Sequence, residues 1–191
     1  MILTICLPDM ESIVSRSPVQ RMKSAPRRTA STQMAIRRAD AQDLNDLVAL
    51  EDVCFTDGPY RNHRFDKANY RYHVKNPQSI VLVVPRQERL IGTAVHTLGS
   101  KSRSQVGRVI SIAVDPNFRR RGIGRMLLDK GIGLLQQRGC RRVYLEVATN
   151  EKSARTLFQQ AGFKRVRRLP DYYGPGLDGI RMKLDLAAVG A

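Results

Sequence analysis

The apolar positions divide the chain into a leader without period and a patterned body. Residues 8–34 show neither a period of two nor one of 3.6, and Ser, Thr, Pro and basic residues dominate them, as in SRSPVQRMKSAPRRTASTQ. Residues 1–34 are therefore expected to form a disordered basic tail, with Met34 a second candidate start directly ahead of the patterned body. From Ala35 the pattern alternates between the two regular periods. AIRRA (35–39) reads as a short strand. Asp40 is placed as an N-cap with Asp43 in the first turn, and Leu44, Leu47 and Val48 then recur at helical spacing. A weaker helix covers 66–74. SIVLVVP (79–85) is β-branched, 89–97 follows as its hairpin partner, and 106–114 adds a strand. Ile123, Met126, Leu127, Leu134 and Leu135 keep one face of a helix over 122–137 apolar. A strand over 142–147, a helix over 151–160 and strands over 164–168 and 180–186 complete the series. This order predicts one α/β domain over 35–191, a mixed central sheet flanked by helices.

Composition narrows the class. Of the residues, 42% are hydrophobic and 26% charged, and no apolar run approaches the roughly 18 residues that cross a bilayer. MILTICL (1–7) is interrupted by Pro8 and lacks a basic leader, so no signal peptide and no membrane partner are expected. Cys6, Cys54 and Cys140 are odd in number and widely spaced, which argues against a disulfide framework and for a cytoplasmic location. His63, His73 and His96 share no ligand spacing, so no metal is expected and all three read as surface or loop residues. Thirty-three basic against 17 acidic residues give a net charge of +16, which favours anionic partners. The leader adds little of it, since Arg16, Arg21, Lys23, Arg27 and Arg28 stand against Asp9 and Glu11.

DPNFRRRGIGRMLL (115–128) sets three consecutive arginines and a fourth around Gly-Ile-Gly, between a strand and an amphipathic helix. Free N–H groups and the positive end of the macrodipole at a helix start attract phosphate oxygens. Gly122 and Gly124 let an anion approach the main chain, and arginines add charge-assisted bonds. The stretch itself contains neither a GxxxxGK[ST] loop nor a GxGxxG turn.

IAVDPNFRRRGIGRMLL resembles the acyl-CoA-binding motif of the GNAT superfamily of N-acetyltransferases, Gln/Arg-x-x-Gly-x-Gly/Ala, with Arg119, Gly122 and Gly124 in the three fixed positions. YLEVATNEKSARTLFQQAGFKRV (144–166) is similar to the family's second hallmark, a LEV strand followed by an AxxLYxxxGF helix and strand. The bacterial ribosomal-protein alanine N-acetyltransferase type is nearest in pattern, because a Tyr-Tyr pair follows the Gly-Phe dipeptide at the spacing of Phe163 and Tyr172-Tyr173. The resemblance is strong over 108–173 and loose over 35–107. It implies the GNAT acyl-CoA N-acyltransferase fold and direct transfer of an acetyl group from acetyl-CoA to a primary amine in a ternary complex. The backbone of Ile112, Ala113 and Val114 would pair with the pantetheine arm. The amides and side chains of Arg119, Arg120, Arg121, Gly122, Ile123, Gly124 and Arg125 would hold the pyrophosphate. Coenzyme A would then account for part of the positive charge, leaving nucleic acid an incidental partner.

Transfer to an amine needs a base for the amine and benefits from an acid for the departing thiolate. Glu146, in YLEV, matches the carboxylate assigned as base in the resembling type. Glu51 follows Val48 by three and Leu47 by four, intruding on an apolar helix face, and is a candidate for the substrate cleft with Phe55 and Tyr60 as walls. The chain departs from the family twice. Phe158 stands where the general-acid tyrosine is usual, leaving Tyr172 and Tyr173 as candidate acids. The asparagine usual at the next helix start falls at Glu151, with Asn150 one residue earlier, either as an N-cap or as a contact to the cofactor. The expected acceptor is a protein N-terminal or lysine amine, the ribosomal type first. The rivals are a small-molecule amine acetyltransferase and a weakened CoA- or ribosome-binding protein on the same fold.

Overall fold

A computed structural model describes residues 4–6 (backbone), 35–56, 63–99 and 105–187. Apart from Thr4–Cys6, the expected leader lies outside the described residues, as does Tyr60. The elements are β1 (Thr4–Cys6), β2 (Arg37–Arg38), α1 (Leu44–Cys54), α2 (Lys67–Lys75), β3 (Ser79–Arg86), β4 (Arg89–Leu98), β5 (Val106–Val114), α3 (Ile123–Gln137), β6 (Arg142–Ala148), α4 (Lys152–Gln160), β7 (Lys164–Leu169) and β8 (Gly179–Asp185). Local chemistry sets the early boundaries. Asp40 and Asp43 form a reciprocal capping box ahead of α1, and Asp66 and Asn69 form another at α2.

One mixed sheet runs β2-β3-β4-β5-β6-β8-β7, with β1 paired in parallel to β5. β1 falls within the span expected to be a disordered tail, whose other residues lie outside those described. On one face α3 and α4 cover Ile80, Leu82, Ile112, Leu145 and Val147. On the other, α1 and α2 cover Val81, Val83, Val95, Ile110 and Ala113. Strands buried on both faces are apolar throughout, which is why β3 reads as a run rather than an alternation. Helix α3 lies so close to β4 that a Cβ on Gly131 would fall 2.1 Å from the His96 ring.

Two histidines expected at the surface are buried instead. His73 shares a hydrogen bond of 2.9 Å with Ser79 Oγ and stacks on Phe65. His96 is fully buried beneath α3, and neither ring nitrogen has a hydrogen-bond partner among the described residues. Burial lowers its pKa to about 4. Cys54 and Cys140 are buried thiols outside any disulfide. Among the described residues no helix is long and apolar enough to cross a membrane.

Candidate active site

The site begins where two parallel strands part. β5 and β6 pair only from Val106↔Arg142 to Arg108↔Tyr144. Immediately beyond, the β4–β5 register steps from His96↔Val109 to Val95↔Ser111, leaving Ile110 as an extra residue on β5. A bulge bends the strand that carries it, and from this point β5 diverges from β6. The parting frees the backbone edge of β5 over its second half. β1 lies against that edge, with Thr4, Ile5 and Cys6 opposite Ser111, Ile112 and Ala113. The gap thus admits an extended chain at the strand end expected to receive a pantetheine arm.

Beyond Val114 the main chain turns toward α3. Asp115 Oδ1 accepts from the Asn117 N–H at 2.8 Å, and Arg119 Nε donates to the Val114 carbonyl at 3.0 Å, folding the turn back on the strand. Arg120 (φ 60°) and Gly122 (φ 79°) are left-handed, and a Cβ on Gly122 would meet nothing within 4 Å. The first α3 bond runs from the Met126 N–H to the Gly122 carbonyl, so the N–H groups of Ile123, Gly124 and Arg125 precede the ladder. The Ile123 side chain is buried in the core, leaving its backbone for any ligand. Arg125 pairs with Asp129 at 2.7 Å and also donates to the Gln160 carbonyl, joining the start of α3 to the end of α4. An open glycine turn, unladdered amides and flanking guanidinium groups fit a diphosphate. Asn150 is exposed in the turn after β6, and the N-cap of α4 is Glu151, without a side-chain cap bond.

Glu146 is 1% exposed on β6. Its Oε1 accepts from Arg108 at 2.7 Å and from Arg181 Nε at 2.8 Å, and its Oε2 accepts from Arg108 at 2.6 Å. One lone pair of Oε2 is left outside these bonds. Neither arginine was legible as a partner, because the contacts come from the β5–β6 and β6–β8 registers.

Glu51, also 1% exposed, occupies a different setting under α1. Tyr70 Oη donates to its Oε1 at 2.6 Å. Burial raises its pKa to about 7 against the pull of Tyr70 and the Phe65 N–H. Phe55 is buried in the same cluster, together with Ala113, Ala148 and Tyr173. Glu51 and Phe55, both expected at the substrate cleft, are thus buried side chains.

The loop between β7 and β8 brings Tyr172 and Tyr173 to this cleft. Tyr173 meets His63, from the segment after α1, with ring centroids 6.2 Å apart. Burial, then the nearby Glu146 charge, raises the Tyr172 pKa. Phe158 is fully buried, edge-to-face with Phe163 at 5.8 Å. Sequence reading also missed Arg86 and Arg89, which with Arg121 stand 4.7–5.3 Å from the Phe118 ring.

Residues 44–163 match the family model for the acetyltransferase (GNAT) family. The chain is 35% identical over 116 residues to N-alpha-acetyltransferase 30 of Xenopus laevis, a match covering 60% of this chain and 42% of that protein. It is 31% identical over 115 residues to N-alpha-acetyltransferase MAK3 of Arabidopsis thaliana, 60% of each chain. The aligned part thus spans less than two thirds of these relatives. In fold it is similar to the ribosomal-protein-alanine N-acetyltransferase of Brucella melitensis, with a TM-score of 0.69, 24% identity, and coverage of 80% of this chain and all of that one.

Proposed function

Because the chain belongs to the acetyltransferase (GNAT) family, we propose that it transfers an acetyl group from acetyl-CoA to a protein N-terminal amine. The observation that carries this reading is the parted β5 edge ending at the glycine turn of α3. An extended arm pairs with the former while its diphosphate rests on the latter. The N-terminal acceptor is supported by the relatives named as N-alpha-acetyltransferases.

Acetyl-CoA supplies the acyl group as a thioester. The residues of this chain then manage protons. The acceptor nitrogen must lose a proton to form its bond to the carbonyl carbon, and the sulfur must gain one as the C–S bond breaks. Glu146 takes the first through its remaining Oε2 lone pair, directly or by way of water, while Arg108 and Arg181 hold the carboxylate in place. Phe158 has no proton to give. Tyr172 and Tyr173 border the same cleft, and each phenol has a proton to give.

Thermal denaturation with acetyl-CoA tests the reading, since a ligand of the folded state stabilises it by RT ln(1 + [L]/Kd). The melting temperature is expected to rise with ligand, and free CoA to appear when an N-terminal peptide is added. Glu146→Gln should lower turnover by about 10²-fold or more at neutral pH. No thermal shift at millimolar acetyl-CoA overturns the proposal. A shift with no CoA release favours the weakened, binding-only alternative to which Phe158 points.

A further inference from the structure

Among the described residues, no helix packs over the α1/α2-side face of the half of the sheet built by β6, β8 and β7. Helices α1 and α2 pack over β3, β4 and β5, and from the other half only Ala148, Tyr172, Tyr173 and Leu177 join their cluster. Strand alternation and register define what stands on the open face. Arg142, Tyr144, Glu146 and Ala148 of β6 lie opposite Asp185, Lys183, Arg181 and Gly179 of β8. After a one-residue step in β7, Lys164 and Arg167 lie opposite Lys183 and Arg181. Arg108 of β5 joins them beside Tyr144.

The face thus carries Arg108, Arg142, Lys164, Arg167, Arg181 and Lys183 against two carboxylates. Glu146 is shared by Arg108 and Arg181, which keep 37% and 27% of their side chains exposed. Asp185 accepts from Lys183 at 2.8 Å and lies 4.0 Å from Arg142. Lys164 and Arg167 are exposed and have no ion-pair partner among the described residues. The excess of cations runs from the candidate base outward to the sheet edge. Its inner end is fixed by Tyr172, whose ring lies about 3.1 Å from where a Gly179 Cβ would be.

We propose that this strip selects acceptors, so that the preferred substrate is a protein N-terminus followed by acidic residues. The inference rests on the N-terminal acetyltransferase reading above and names its substrate class. From β6 to β7 is two inter-strand steps, about 10 Å, or roughly three residues of an extended peptide. With the amine near Glu146, Asp or Glu at the second to fourth positions reaches Arg181, Lys183 and Arg167. The strip's own ring, Tyr144, is half-buried and stands alone among the cations, and the strip starts beside Tyr172 and the parted strands, which favours a short acceptor peptide over a single-stranded nucleic acid.

The test compares the full-length protein on three peptides that share the first residue and carry acidic, neutral or basic residues at positions two to four. The expected kcat/KM for the acidic peptide exceeds the neutral one by about tenfold, mostly through KM, and the margin shrinks between about 0.05 M and 0.5 M salt as the charges are screened. In K164E/R167E the acidic-to-neutral ratio should fall toward one. Equal rates for the three peptides, or a ratio unchanged in K164E/R167E, overturn the inference. So does binding of a duplex RNA oligomer that K164E/R167E abolishes while the peptides show no preference. Thermal shift with acetyl-CoA separates the two readings. A shift with turnover of all three peptides defeats only the acidic preference, whereas no shift and no turnover defeat the acetyltransferase reading.

Discussion

The two halves of the sheet answer different demands with the same backbone. In the β2–β5 half both faces are closed by helices, and the polar groups caught inside have few partners. Glu51 has Tyr70, and His96 has no hydrogen bond among the described residues. In the β6–β8–β7 half one face has no covering helix among the described residues, and its buried carboxylate, Glu146, is held by two guanidinium groups. Apolar closure provides stability, while the open half spends its surface on charge. If the proposed acceptor preference holds, stability and acceptor recognition are carried by different strands.

The sharpest way to break the contrast is to remove core volume from the closed half. Leu127, fully buried between α3 and the sheet, should cost about 2–5 kcal/mol as Leu127→Ala, against about 0.5 kcal/mol or less for Lys183→Ala, both read by urea denaturation. Equal losses would mean that the open face contributes as much to stability as the core.

Acid reveals the second difference. The folded state keeps His96 neutral down to about 4, whereas the unfolded imidazole takes its proton near 6.5. The unfolded chain therefore binds more protons between these values. The His96 contribution is intact above pH 6.5 and is lost as pH falls to 4, by about 3 kcal/mol. His96→Gln should flatten the melting temperature against pH in this window; an unaltered acid slope would assign the sensitivity elsewhere.

Glu51 has the opposite sign. Its folded pKa of about 7 exceeds the ordinary 4.5, so its contribution is intact below 4.5 and is lost as pH rises to 7. Glu51→Gln keeps an acceptor for Tyr70 and should raise stability by about 1–2 kcal/mol at pH 8 and by less at pH 5, measured by calorimetry. A loss at both pH values would show that the carboxylate has a partner more valuable than the burial it suffers.

The smallest expected effect concerns β1, which borrows the freed edge of β5. A pantetheine arm paired there must displace it. Ile5→Pro weakens strand pairing, and at the net worth of one hydrogen bond the apparent acetyl-CoA Kd should fall by about threefold, read by isothermal calorimetry. An unchanged Kd would show that the arm binds without using Ser111–Ala113.

Where the sequence had period, the fold was legible. Strand β5, the helix after the arginine-glycine turn and the order of elements agree with the structure to within a residue or two, since Asp40, Asp66 and Gly122 mark helix starts by local chemistry. The leader lacked period, so β1 went unseen; its pairing partner is more than a hundred residues away. The intrusion of Glu51 on an apolar helix face made it a cleft candidate; the structure buries it, and its partner Tyr70 belongs to a second helix. His73 and His96 were misplaced because a single polar residue on an apolar strand or helix does not say which layer will cover it.

The sequence by itself determined the elements from β2 onward, their order, the glycine turn that opens α3 and the absence of a tyrosine at position 158, because each is written in neighbouring residues. The tertiary structure alone decided that β5 and β6 part just after Arg108, that two arginines from different strands hold Glu146, and that one face of β6–β8–β7 is left open and cationic. Those are matters of register and layer. A one-residue step in pairing moves a side chain to the other face, and only the assembled sheet fixes where that step falls.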